Sequence, residues 1–255
     1  MKIKFLHIPK TAGTTLIERL WHNPNFGAVD REPHQAEQQV QFGHSVKFDE
    51  PDPDTIYVTA LRDPVERIMS QYNFVRSQLH YMNPCNPTEL DFYTWFINKD
   101  HFRPMQYTSM IDWLNQCQDY YTRDIMEYDR LYSNQILHWD GTATSIDQQQ
   151  VLELTQRKQQ VLERHYDWFM TNTHPRISHY ISTGTDVIAE FEGVCEQYNI
   201  SFDSTRDITR TNVTTETLQF QKSHSILYSD LPGEQQHMIQ ADTQYERKMY
   251  DELTK

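Results

Sequence analysis

The sequence predicts an α/β fold, a parallel sheet covered on both faces by helices. Two short apolar runs, residues 3–8 and 55–61, carry the β-branched and aromatic side chains of fully buried strands. Each run passes through a turn into a helical pattern, and strands go on alternating with helices down the chain. That alternation is the mark of parallel strands joined by helical crossovers. At 255 residues the chain is long enough for one large domain with a full core. It has neither an internal repeat nor a linker, so a single domain over residues 1–255 is expected.

In order, residues 3–8 form the first strand and Pro9 ends it. Lys10-Thr11-Ala12-Gly13-Thr14-Thr15 then turns the chain into a helix over residues 16–21. A strand, a turn holding Lys, Gly and hydroxyls, and a helix start together make an anion site. The first amides of a helix lack partners within it, and the helix dipole favours negative charge. Lys10 adds a mobile cation, and Thr11, Thr14 and Thr15 add hydroxyl donors. The loop is not a Walker A motif, because Lys10 precedes its only glycine. Residues 23–37 read as a polar loop with Pro24, Gly27 and Pro33. Residues 38–48 alternate as a strand that reaches a loop at Gly43-His44, and residues 49–54, with two prolines, are a turn. Residues 55–61 are the best strand in the chain. Asp63 is placed to cap the next helix and Pro64 to be its first residue. That helix runs to about Leu79, with Val65, Ile68, Met69, Tyr72 and Val75 on one face.

A loop over residues 80–88 follows, then helices over 88–98, 105–117 and 129–139. Residues 145–169 form a long polar helical stretch expected on the surface. Residues 177–183 read as a late strand, 186–198 as an amphipathic helix, 206–215 as a loop and 232–253 as a C-terminal helix. Parallel sheets of this kind bind ligands beyond the carboxyl ends of their strands, where the first loop lies.

Charge narrows the partners. Twenty-three Lys and Arg against thirty-six Asp and Glu give −13. Such a surface repels nucleic acid, anionic membranes and highly sulfated glycans, and weighs against a heparin-like acceptor. Cys85, Cys117 and Cys195 are sparse and follow no metal-ligand spacing, which reads as reduced thiols and no metal site. There is no secretion signal and no apolar run near the ~18 residues of a membrane span. The expectation is a cytoplasmic protein without a membrane partner. Oligomeric state is left open.

The segment FLHIPKTAGTT resembles the 5′-phosphosulfate-binding loop of sulfotransferases that use PAPS, 3′-phosphoadenosine 5′-phosphosulfate. It is most similar to the group of the heparan sulfate 2-O- and 6-O-sulfotransferases and their bacterial relatives, which reads H-x-P-K-[TC]-[AG]-G-[TS]-[ST]. The resemblance implies a P-loop-like three-layer fold with a central parallel sheet flanked by helices. It places Lys10, Thr11, Ala12, Gly13, Thr14 and Thr15 on the phosphosulfate. A second segment, residues 59–72, resembles the family's 3′-phosphate site, a strand followed by R-[DN]-P-x-x-R and S-x-[YF]. There Arg62 and Ser70 would hold the phosphate, since a guanidinium fork donates two parallel bonds to it. Arg67 also fits the pattern, with Glu66 or Asp63 as its expected partner.

Phe42-Gly43-His44 lies where many members keep the base that activates the acceptor. Histidine titrates near neutrality and can take a hydroxyl proton, so His44 is the catalytic candidate beside Lys10. His7 is expected to orient the loop. Glu37, Asp49 and Glu50 are fallback bases, and His34 and His80 weaker ones. Residues 133–141 resemble a family segment N-x-Q-x-R-x-L-x-G, with shifted spacing and no arginine. Arg210 and Asn212 resemble a late R-x-N-[VK]-[ST] loop that closes over the nucleotide. Residues 79–132 match nothing and are rich in aromatics, Trp113 among them. They are read as a variable, acceptor-binding insertion, although core packing also accounts for most of those rings. The expected reaction is metal-free transfer of a sulfuryl group from PAPS to a hydroxyl of a carbohydrate or other small acceptor. A P-loop-like nucleotide kinase and a non-catalytic nucleotide- or glycan-binding relative are the alternatives.

Overall fold

The structure is a computed structural model and describes residues 1–20, 26–28, 38–44, 46, 52–82, 90–99, 108–116, 159–201 and 225–254. Its centre is a five-stranded sheet made of β1 (Lys2–Leu6), β2 (Phe26–Ala28), β3 (Val40–Gly43), β4 (Thr55–Leu61) and β5 (His179–Ser182). The strand order is β2-β3-β1-β4-β5, and every pairing is parallel. Phe5 pairs with Phe42 on one side and Val58 on the other. The chain leaves β1 toward β3 and β2, then crosses back to β4. The strand order therefore reverses at β1, the position where such sheets leave a crevice for ligand.

Side chains alternate across this sheet and build a core on each face. On one face Ile3, Phe5, Val40, Phe42, Val58, Ala60 and Ile181 pack with α1 (Gly13–Leu20) through Leu16 and with α6 (Val187–Gln197) through Val187, Phe191 and Val194. Phe5 stacks on Phe42 at 4.8 Å. On the other face Leu6, Tyr57 and Leu61 meet α4 (Met110–Gln116), residues 159–168, which are helical (α5), and α8 (Gln244–Leu253). A third cluster joins α2 (Pro64–Met82), α3 (Phe92–Asn98) and α7 (Gly233–Asp242) through Ile68, Tyr72, Trp95 and Ile239. The result is the three-layer α/β architecture expected from the sequence.

Caps appear where short polar side chains precede helices. Asp63 Oδ1 accepts from the amides of Val65 and Glu66 at 3.0 and 3.1 Å. Asp91 and Asp186 cap α3 and α6 in the same way. Each such cap contributes about 1 kcal/mol.

Four expectations need correction. The polar loop over residues 23–37 contains β2, whose three residues are held by register with Val40–Phe42 rather than by their own pattern. Helix α1 begins at Gly13 instead of residue 16, because the chain reverses within Lys10–Ala12. The single C-terminal helix is two helices, broken at Thr243, where φ is −101° and ψ is 6°. The stretch ending at residue 169 is not a purely surface element, since His165, Tyr166 and Phe169 are buried. The helix over 129–139, the loop over 206–215, Cys85 and Cys117 lie outside the described residues.

Candidate active site

Lys10, His44 and Arg62 emerge from the carboxyl ends of three neighbouring strands, β1, β3 and β4. Their separation in sequence disappears in the sheet, because β1 lies between the other two.

The turn after β1 is held in a shape that most residues avoid. Lys10 has φ 67° and Ala12 φ 58°, both in the left-handed region. Non-glycine residues there cost free energy and persist only where the surroundings impose them. Several contacts impose them here. The Thr11 hydroxyl donates to Ile8 O at 2.8 Å. Its proton is thus committed to the turn, whereas the sequence suggested a donor facing outward. Gly13 lies against His7: a Cβ there would stand 1.7 Å from His7 Nε2, so no larger residue fits without moving that ring. The first bond of α1 runs from Leu16 N to Ala12 O at 3.2 Å. The amides of Gly13, Thr14 and Thr15 precede it and form the open positive end of the helix. Thr15 is exposed there.

Lys10 Nζ stands 4.1 Å from the centre of the Phe74 ring on α2. Burial, with added repulsion from Arg62 and Arg67, lowers its pKa to about 8 from the ordinary 10.5. Arg62 Nη1 donates to Lys10 O at 3.4 Å. Its Nε pairs with Glu66 at 3.4 Å, but Glu66 is exposed. Such a surface pair is weak and yields readily to a phosphate, which takes two charge-assisted bonds from one guanidinium. Ser70 lies half-buried eight residues further along on α2.

His44 is exposed, and its ring is anchored by its neighbours. Nδ1 stands 2.6 Å from His7 O. A carbonyl only accepts, so Nδ1 carries the hydrogen and Nε2 is the basic nitrogen of the neutral ring. The ring stacks on His7 at 4.1 Å and meets Trp113 of α4 at 5.6 Å, nearly at right angles. His7 is itself buried, wedged between Gly13 and the Phe42 ring. This is the orienting part expected of it.

Sequence reasoning missed the network behind the turn. Arg67 pairs with neither Glu66 nor Asp63. Its Nε donates to Pro9 O at 3.0 Å, its Nη2 to Thr108 O at 2.7 Å, and its Nη1 pairs with Glu246 at 3.5 Å. Asp63 pairs instead with Arg247 at 2.5 Å. Burial opposes ionisation of Asp63, but Arg247 and the capped amides outweigh it and hold the carboxyl below its ordinary range. The partners of Arg67 are distant in the chain, so no local spacing signals them.

Arg210, Asn212, Glu37, Asp49, Glu50, His34 and residues 133–141 lie outside the described residues, and His80 falls in α2 rather than a loop. Among the described residues no three His, Cys, Asp or Glu side chains are grouped to hold a metal ion. No helix among them is long and apolar enough to cross a membrane.

A sequence model of the sulfotransferase family matches residues 1–198, which include every strand of the sheet and both charged turns. No curated protein matches the chain. With most of its length matched, and with the parallel sheet and strand-end loops in place, the chain belongs to the sulfotransferase family.

Proposed function

We propose that this protein is a PAPS-dependent O-sulfotransferase acting on a hydroxyl of a carbohydrate or another small hydroxylated acceptor. The observation that carries the reading is the convergence of Lys10, His44 and Arg62 at three adjacent strand ends beside the open start of α1. That donor set fits a nucleotide with anionic groups at two places. Loop and helix-start amides from Ala12 to Thr15 and the Lys10 ammonium face one group, while the Thr11 amide and hydroxyl, both bonded to Ile8 O, shape the turn. Arg62 and Ser70 serve the other. Arg210 and Asn212 complete the nucleotide contacts on the strength of the resemblance alone.

PAPS, when bound, supplies the sulfuryl group and its own leaving group. Sulfuryl transfer parallels phosphoryl transfer, in which the protein mainly positions groups and stabilises charge. Lys10, protonated, neutralises charge on the bridging oxygen, and the loop amides hold the sulfonate oxygens. His44 accepts the acceptor's hydroxyl proton at Nε2, while the His7 carbonyl on Nδ1 holds the ring and supports the imidazolium. Lysine and amides here do what magnesium does in kinases. The chain is read as one domain with residues 79–132 as the variable acceptor-binding part. The position of Trp113 against His44 supports this. The sparse cysteines suit a cytoplasmic setting.

The test is transfer itself. With isotopically labelled PAPS and a glycan and metabolite extract, mass spectrometry should find label in a sulfated product, absent with Lys10→Ala. Label passing from ATP with magnesium, and none from PAPS, would refute the reading.

A further inference from the structure

We propose that Glu246 is a positioning residue for transfer, a role that rests on the sulfotransferase reading above. It lies on α8, beyond the residues that the family model matches. Its side chain is 4% exposed and that of Arg67 2%. One carboxylate oxygen, Oε1, accepts from Met110 N at 2.5 Å and pairs with Arg67 Nη1 at 3.5 Å.

Through Arg67 this carboxylate reaches both halves of the site. Arg67 Nε holds Pro9 O at 3.0 Å. That carbonyl belongs to the peptide plane entering Lys10, and fixing the plane helps hold Lys10 at φ 67°. Arg67 Nη2 holds Thr108 O at 2.7 Å, and Glu246 holds Met110 N, so together they fix the start of α4. Three residues on, α4 presents Trp113 to His44. A single buried ion pair therefore sets the Lys10 turn and the wall beside the base in one register. Burial pushes the Glu246 carboxyl up, and Arg67 and the Met110 amide offset part of that.

A second ion pair of the same C-terminal segment makes the contrast. Lys99 Nζ binds Asp242 at 2.9 Å, with 2% and 12% exposure, and joins α3 to α7. Its ion pair links α3 to α7, whereas the Arg67–Glu246 pair bonds Pro9 O and the start of α4.

Amide hydrogen exchange by mass spectrometry tests this without any ligand. Glu246→Gln should speed exchange about tenfold in peptides covering residues 7–16 and 108–114. Asp242→Asn should change those peptides far less than Glu246→Gln does, even if it lowers the melting temperature. The double variant Arg67→Met with Glu246→Met replaces the ion pair by apolar groups, which buried pairs tolerate well. It should keep β4 protected while residues 7–16 stay fast, and it decides alone if Glu246→Gln does not fold. Wild-type exchange over residues 7–16 in a folded variant lacking Glu246 would overturn the proposal. PAP, the desulfated nucleotide, is titrated into the wild type in parallel. Failure to bind it would count against the sulfotransferase reading, while the exchange result would still decide whether Glu246 holds the turn.

Discussion

The two sides of the candidate site are built from different materials. The side proposed to take the nucleotide is made of charge and backbone: Lys10, Arg62 and the open amides of α1, on a turn with two left-handed residues. The side proposed to take the acceptor is made of rings: His44 stacked on His7 and faced by Trp113. On the proposed reading, charge fixed in place suits the phosphate positions of a bound nucleotide and the charge that develops on its leaving oxygen. A basic nitrogen on an exposed ring suits the proton transfer proposed for His44. Substitutions should therefore separate the two sides. Those on the first should impair nucleotide binding as well as turnover, and those on the second turnover alone.

The largest effect is expected from Lys10→Ala. Loss of a preorganised charge at the leaving oxygen should cut kcat by about 10³-fold or more and weaken PAP binding, measured by single-turnover label transfer and calorimetry. His44→Ala comes next. Loss of general base catalysis should lower kcat by about 10²–10³-fold, with the Kd for PAP within twofold of wild type. A near-native rate would remove His44 from its role. Arg62→Ala should raise the Kd for PAP about 10–100-fold, the worth of a charge-assisted bidentate contact at roughly 1.5–3 kcal/mol. Its kcat at saturating PAPS should change less.

The smallest effect is one of pH, and its two readouts run in opposite directions. The Lys10 pKa is lowered to about 8 from 10.5, and in the proposed mechanism only the protonated form serves the site. Above about pH 8 kcat/KM for PAPS should fall tenfold per pH unit. Between about 8 and 10.5 the unfolded chain binds the proton that the folded one has lost, so this lysine's contribution to stability rises with pH. Lys10→Met should abolish both trends, as read in pH–rate profiles and melting curves.

The sequence made some of this legible and hid the rest for physical reasons. Residues 55–61 were recognisable as a strand because β4 is paired on both sides and its apolar run is continuous. The Asp63 cap was legible because its amide partners lie two and three residues away. Arg62, Ser70 and His44 stood out through motif spacing, and each lies at or just after a strand end or on α2. β2 was hidden because three residues carry no period of their own. The break at Thr243 was hidden because no glycine or proline marks it. The Arg67 partners were hidden because they lie 58, 41 and 179 residues away. Local spacing reports local bonds, and these three side-chain bonds are all non-local.

On the proposed reading, the charged turn after β1 and the arginine after β4 hold one nucleotide with phosphates at two places. Calorimetric titration of PAP without magnesium tests it most directly. Saturable one-to-one binding is expected, weakening at least tenfold in Arg62→Ala and unchanged in His44→Ala. Equal affinity for ATP and PAP, or PAP binding indifferent to Arg62→Ala, would contradict it.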